Sequence, residues 1–263
     1  MSPAEIAAIV LAGMGAGLIN TVVGSGTLIT FPTLIAFGVP PVTANVSNSI
    51  GLVPGSISGA IGYRRELAGQ RRRILKLGLA SFLGGVAGAA LLLALPESAF
   101  AAIVPVLIVL GVLLVLAQPR ISRWVARRHE AKGTAGDRPA DGGWWVWPSI
   151  LGTGVYGGYF GAAQGVLLMA VMGIGIDEDL QRLNGVKNVL AAIVNGVSGV
   201  VFVAVHFLVE PYVDWWIVLY IGVGAVIGAQ IGAKVGRRLP PFGLRIVIVV
   251  VGVAAVVSFL VGS

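Results

Sequence analysis

The sequence predicts an all-α integral membrane protein built as an inverted repeat of two halves, each a broken helix hairpin followed by three transmembrane helices. Three observations carry this expectation. Of 263 residues, 57% are apolar and 39 are glycine, while 11% are charged, less than half the roughly 25% usual in soluble domains. The charges gather in short stretches that separate apolar runs of about 19 to 33 residues, long enough to cross a hydrocarbon core about 30 Å thick. Finally, the order of run lengths, one long and three ordinary, occurs twice.

Eight runs follow in order: 6–38, 42–62, 74–95, 99–117, 144–176, 186–209, 213–233 and 242–261. Six have the length of one spanning helix. The first and fifth would reach about 50 Å as continuous helices, so they must break or fold back. Gly24, Ser25 and Gly26, with Pro32 beyond, supply the first break; Gly157, Gly158, Gly161, Gln164 and Gly165 supply the second. The first repeat is expected over 1–117, a basic cytoplasmic linker over 118–143 and the second repeat over 144–263. No basic residue precedes the first run and no charge interrupts it up to Gly38, so it reads as a structural segment and not a secretory signal.

Loop charge sets the expected orientation. Arg64, Arg65, Arg71, Arg72, Arg73 and Lys76 lie in one loop, and Arg120, Arg123, Arg127, Arg128, Lys132 and Arg138 in the linker, which places both in the cytoplasm. The turns at Glu97 and at Glu210 with Asp214 carry no basic residue and read outside; Lys234, Arg237, Arg238 and Arg245 read inside, leaving Ser263 outside. Counting crossings then puts both termini of a multi-pass cell-membrane protein outside and makes both long runs re-entrant. A shift of about 140 residues sets Gly26 on Gly165, Asn45 on Asn184, Asn48 on Asn188 and Gly84 on Gly228. Corresponding turns carry opposite charge, which requires the halves to be inverted. Inverted repeats with broken helices mark secondary transporters, whose site lies where the repeats meet. Gly84 with Gly88, and Gly224, Gly228 and Gly232, have the spacing of close helix packing.

Composition excludes other chemistry. There is no cysteine, hence no disulfide, thiolate metal site or cysteine nucleophile, and only His129 and His206 are available to a metal or a base. No metal or cofactor is expected, nor an enzyme. The formal charge of +7 is accounted for by orientation, so nucleic acid is not an expected partner. The expected partners are the lipid bilayer and a small anion; a homo-oligomer is left open.

Polar groups inside the membrane are the candidates for function, because each is costly without a partner. At the bends these are Ser25, Gly26, Thr27, Gln164 and Gly165; at the start of the following spans, Asn45, Asn48, Ser49, Asn184, Lys187 and Asn188. A broken helix points free N–H groups and its positive dipole end at the break, which suits an anion. Each candidate has a plainer reading. Asn45 and Asn184 fit N-caps equally well, and Lys187 fits an orientation charge. His206 reads either as an interfacial residue or as a proton carrier for coupling, and Asn20 and Asn195 share that ambiguity. Tyr156 and Tyr159 read as packing, the tryptophans as interfacial anchors, and residues 177–179 as a solvated helix cap.

The glycine-rich break at 24–27 leading into Phe31, Pro32, Leu34 and Gly38, the stretch 44–49, and their counterparts Gly165, Asn184, Lys187 and Asn188 together resemble the TauE/SafE sulfite exporter family. The resemblance covers essentially the whole chain. It implies a permease that exports sulfite or organosulfonates such as sulfoacetate, driven by the proton gradient; alternating access is the expectation from the inverted repeat. Ala163 and Gln164 stand where the first half has Gly24 and Ser25, which leaves the particular anion open. A carboxylate permease and an anion channel are the competing expectations.

Overall fold

The computed structural model describes residues 1–130, 142–235 and 250, and these form nine α-helices with no strand. In chain order they are α1 (Pro3–Val22), α2 (Thr27–Ala36), α3 (Pro41–Gly62), α4 (Arg71–Ala94), α5 (Glu97–Glu130), α6 (Val146–Tyr159), α7 (Gln164–Gly175), α8 (Leu180–Leu208) and α9 (Trp215–Val235). Among the described residues, α1, α4, Glu97–Ile121 of α5, α8 and Trp215–Lys234 of α9 are long and apolar enough to cross a membrane. Both long runs are broken. The first becomes α1 and the ten-residue α2, the fifth α6 and the twelve-residue α7. The expected run 242–261, apart from Val250, and the basic residues Lys132, Arg138, Arg237, Arg238 and Arg245 lie outside the described residues.

Local chemistry explains the boundaries. Ser2 and Glu5 form a reciprocal capping box that starts α1. Asp179 accepts the N–H groups of Gln181 and Arg182 at 2.8 and 3.2 Å, starting α8 six residues before the apolar run begins. The capping reading of Asn184 is therefore wrong: it lies inside α8, just as Asn45 lies inside α3 behind Pro40 and Pro41. The reading of 177–179 holds for Asp179. At the other boundary, α5 continues through the basic stretch to Glu130 and does not stop at residue 117. Hydropathy falls there, but Arg, Gln and Ala are good helix formers.

Packing follows glycine. On α1, a Cβ at Gly13 or Gly17 would run into the carbonyls of Ile221 or Ala225 on α9; on α9, one at Gly224 or Gly228 would run into Val10 or Met14. The same seam joins α4 to α6, where Gly84 meets Leu151, Gly88 meets Val155 and Gly158 meets Gly85. Lipid offers no hydrophobic gain for helix association, so close approach and dispersion supply it. The glycine spacing read from the sequence thus locates two seams, each joining a helix of the first half to one of the second. Helices α3 and α8 run together between them.

At the basic end of the bundle the halves are also tied by ions. Glu178 pairs with Arg73 of α4 at 3.0 Å and with Arg182 at 2.9 Å, and Arg182 donates to the carbonyl of Ala68 at 3.0 Å. Burial pushes the Glu178 carboxyl up, but the Arg73 hydrogen bond, the Asp179 N–H and the charges of Arg182 and Arg73 outweigh it and hold it below the usual carboxylate value. A carboxyl lowered in the folded state stabilises at neutral pH and loses that contribution as pH falls through the unfolded and then the folded value. Acid titration of the detergent-solubilised protein followed by thermal unfolding should show this loss, and Glu178→Gln should flatten it. The seams give a second expectation. Gly17→Val and Gly88→Val should each destabilise by about 1–3 kcal/mol through overpacking. Gly152→Ala and Gly196→Ala, where a Cβ meets nothing within 4 Å, should be neutral or stabilising in the same unfolding measurement.

Candidate functional site

The two helix breaks meet each other. Gly24 has φ +93°, and a Cβ on it would run into the Cα of Gly165; one on Gly165 would run into Gly24. Only glycine meets both the dihedral and the spatial demand at Gly24. The contact is bonded as well as close, because Gly165 N–H donates to the Gly24 carbonyl at 2.9 Å. The second break turns through Gly161 (φ +77°) and Ala163 (φ +60°), the latter a left-handed conformation that few non-glycine residues adopt.

A helix that ends inside the membrane leaves carbonyls without intrahelical partners. Here the opposite half supplies the donors. Asn184 and Asn188 each donate to Thr21 O at 3.3 Å, and Lys187 Nζ donates to Asn20 O at 2.9 Å and Thr21 O at 3.2 Å. All three come from α8 and cap the end of α1. At the other break, Asn45 of α3 donates to Tyr159 O, at the end of α6, at 2.9 Å. The residues aligned by the sequence offset, Asn45 and Asn184, thus make the same bond, each to the other half's broken helix. Lys187 is fully buried, and its ammonium sits at the negative end of the α1 dipole.

The start of α2 is closed in a different way. Asn20 Oδ1 accepts the Gly26 N–H at 2.6 Å. Asn48 donates to Thr27 Oγ1 at 3.4 Å and accepts from Thr30 Oγ1, and Ser49 donates within its own helix to Asn45 O at 2.8 Å. Two of the expected free N–H groups at the breaks are therefore occupied: Gly26 by Asn20 and Gly165 by Gly24. Several buried polar atoms nevertheless have no partner, among them Ser25 Oγ, Gln164 Nε2, Asn45 Oδ1 and Asn184 Oδ1. Such groups cost free energy unless something occupies their vicinity.

Between the breaks lies a small cavity of about 20 Å³, room for a single water. Of the candidate residues, Thr27, Gln164, Gly165, Lys187 and Asn188 line it. Ser25, Gly26, Asn45, Asn48, Ser49 and Asn184 do not line it; of these, Asn45, Asn48 and Asn184 bond to the broken segments. The sequence left Asn20 and Asn195 ambiguous, and both prove to line the cavity; Ser56, which was not singled out, does too and accepts from Asn195 at 3.2 Å. The signal for Asn20 was a lone amide in the last turn of an apolar helix, four residues before a glycine break. Among the described residues, Lys187 is the one charged residue in the lining, and no carboxylate faces it there. Behind the breaks Phe31, Phe100 and Phe160 pack edge to face at 5.1 and 6.1 Å and exclude water. His206 stands apart at the α8–α9 turn, its Nδ1 accepting the Val213 N–H at 3.0 Å and its ring 5.6 Å from that of Trp215.

Comparison with known proteins agrees with the resemblance. Residues 9–259 match the family described as Sulfite exporter TauE/SafE. The probable membrane transporter protein YfcA of Escherichia coli K12 is 28% identical over 166 residues, 63% of this chain and 58% of that protein. The probable membrane transporter protein ORF9 of a Sinorhizobium species is 31% identical over 104 residues, 40% of each chain. A probable membrane transporter protein of Haemophilus influenzae is 30% identical over 109 residues, 41% of this chain and 43% of that one. The matched region therefore spans less than two thirds of each of these relatives. No solved structure matches the chain.

If the cross-half amide bonds hold the breaks together, Asn45→Ala should leave the Tyr159 carbonyl unpaired in the bundle core. The expected loss is about 1–3 kcal/mol, read by reversible denaturation in mixed micelles.

Proposed function

The chain belongs to the sulfite exporter TauE/SafE family, and from that premise we propose that it carries small sulfur oxyanions or organosulfonates across the cell membrane by alternating access. The observation that supports this reading above others is Lys187: a fully buried cation beside two helix breaks, with no carboxylate among the described residues that line the cavity. A buried cation held only by the carbonyls of Asn20 and Thr21 lacks a counter-charge, and an anion brought to it supplies one. Gln164 Nε2, a buried donor without a partner, supplies a second contact. A sulfonate or sulfite presents three oxygens to such donors, one more than a carboxylate, which favours the sulfur anions over a carboxylate permease.

The cavity holds about one water, so the described conformation is a closed one and a larger anion enters only when the bundle parts. An enclosed site favours a carrier over a channel, which needs a continuous path. In the proposed arrangement the basic Arg64–Lys76 loop faces the cytoplasm, both termini face outward, and the two repeats are inverted about the meeting of the breaks. Export of an anion from a cell negative inside is driven by about 2.3 kcal/mol per charge per 100 mV. Coupling to a proton through His206 would require a path from the α8–α9 turn to the cavity.

Purified protein reconstituted in vesicles should show saturable flux of sulfite or sulfoacetate, with acetate and chloride carried poorly. Lys187→Met should weaken that transport at least about tenfold, the equivalent of one lost charge-assisted hydrogen bond. Flux that rises linearly with concentration, or that favours acetate, overturns the reading.

A further inference from the structure

We infer that the closed site is held by two oxygen atoms of the protein that stand in for oxygens of the anion, and that Asn20 is the residue that sets its affinity by competing with substrate. The inference rests on the reading of the cavity as an anion site and adds to it a displaced partner at each break.

The N-terminus of a membrane-embedded helix exposes N–H groups that must find an acceptor. At α2 that acceptor is Asn20 Oδ1, 2.6 Å from Gly26 N; at α7 it is the carbonyl of Gly24, 2.9 Å from Gly165 N. Neither acceptor belongs to the helix it caps. Asn20 reaches forward from the last turn of α1, and Gly24 reaches across from the opposite half. Asn20 also accepts from Lys187 Nζ through its own carbonyl at 2.9 Å. One residue therefore occupies both an N–H donor and the cation that an anion would use.

The surroundings point to a ligand independently of the helix ends. Gln164, 4% exposed, lines the cavity with its Nε2 unpartnered, and Ser25, fully buried beside Gly24 and Gly26, has an unpartnered hydroxyl. These donors remain after the protein has satisfied its own helix ends. An oxyanion that enters replaces Asn20 Oδ1 on Gly26 N–H and the Gly24 carbonyl on Gly165 N–H. It then takes the idle Gln164 amide as well. The Gly24–Gly165 bond is the direct tie between the two breaks, so its exchange for an anion couples occupancy to their separation.

Two substitutions at Asn20 have opposite expected effects, which a purely structural role would not produce. Asn20→Ala removes the competitor on Gly26 N–H, so sulfite should bind about two- to tenfold more tightly, the fold-change of one ordinary hydrogen bond no longer broken on binding. Asn20→Asp keeps the bond to Gly26 N–H and sets a carboxylate in the cavity beside Lys187, so sulfite binding should be lost while the anion-free protein unfolds at or above the wild-type temperature. Thermal unfolding in detergent against sulfite, methanesulfonate and chloride reads both. Hydrogen exchange in wild-type peptides containing Gly26 and Gly165, with and without saturating sulfite, tests the same displacement if a variant fails to fold. Changed protection at both breaks is expected; unchanged protection overturns the inference. Equal weakening by both substitutions also overturns it, with the anion site still standing. Absence of stabilisation of the wild type by either sulfur anion overturns the site reading itself, and this inference with it.

Discussion

A helix that stops within the membrane has no water to satisfy its last carbonyls or its first amides, and most of what is distinctive in this structure answers that constraint. The ends of α1 and α6 are capped by amide side chains from α8 and α3, and the starts of α2 and α7 by Asn20 and Gly24. Every one of these partners except Asn20 comes from the opposite half. Satisfying the breaks and joining the halves are thus a single set of bonds. That explains why α3 carries Asn45 and Asn48 in its buried face, although a lipid-facing helix could not tolerate them.

Once the breaks are bonded across the halves, neighbouring helices must come close enough to support them. The glycine seams provide that approach, and the seams also cross between halves: α1 lies on α9 and α4 on α6. The aromatic trio behind the breaks fills the remaining space and keeps water from competing for the bonds. In a dry site each hydrogen bond is electrostatically stronger and each unpaired group more costly. Among the described residues, the unpartnered atoms of Ser25, Gln164, Asn45 and Asn184 all lie at the breaks, where such a cost is largest.

Much of this was legible in the residues. A run too long for one crossing, with Gly24 or Gly165 inside it, fixes a break on length alone. The offset that pairs Asn45 with Asn184 anticipates that the two do the same thing. What they do was not legible, because a cap and a cross-half tether present the same side chain in the same local sequence, and only the fold places Tyr159 O and Thr21 O within reach. The apolar run opens later than α8 does, because apolarity marks where a helix enters lipid, whereas Asp179, legible as a cap, marks where its hydrogen bonding begins. The end of α5 was misplaced for the converse reason, since helix propensity carries through the basic residues after hydropathy has fallen.

The seams also constrain how a cavity this small could open. Backbone-to-backbone contacts packed on glycine have little slack, because interiors at close-packed density respond by shifting as units and not by stretching. A motion that parts Gly24 from Gly165 while leaving both seams intact must carry α9 with α1 and α6 with α4. The bodies that move would then not be the two halves of the sequence, but units exchanged between them, each containing helices from both repeats. The bonds such a motion would break are those at the breaks and the amide tethers from α3 and α8, all polar and all exchangeable for an anion or for water. The glycine contacts of the two seams would be kept. Replaceable polar bonds at the breaks, with close glycine contacts along the seams, are the arrangement that such an opening would require.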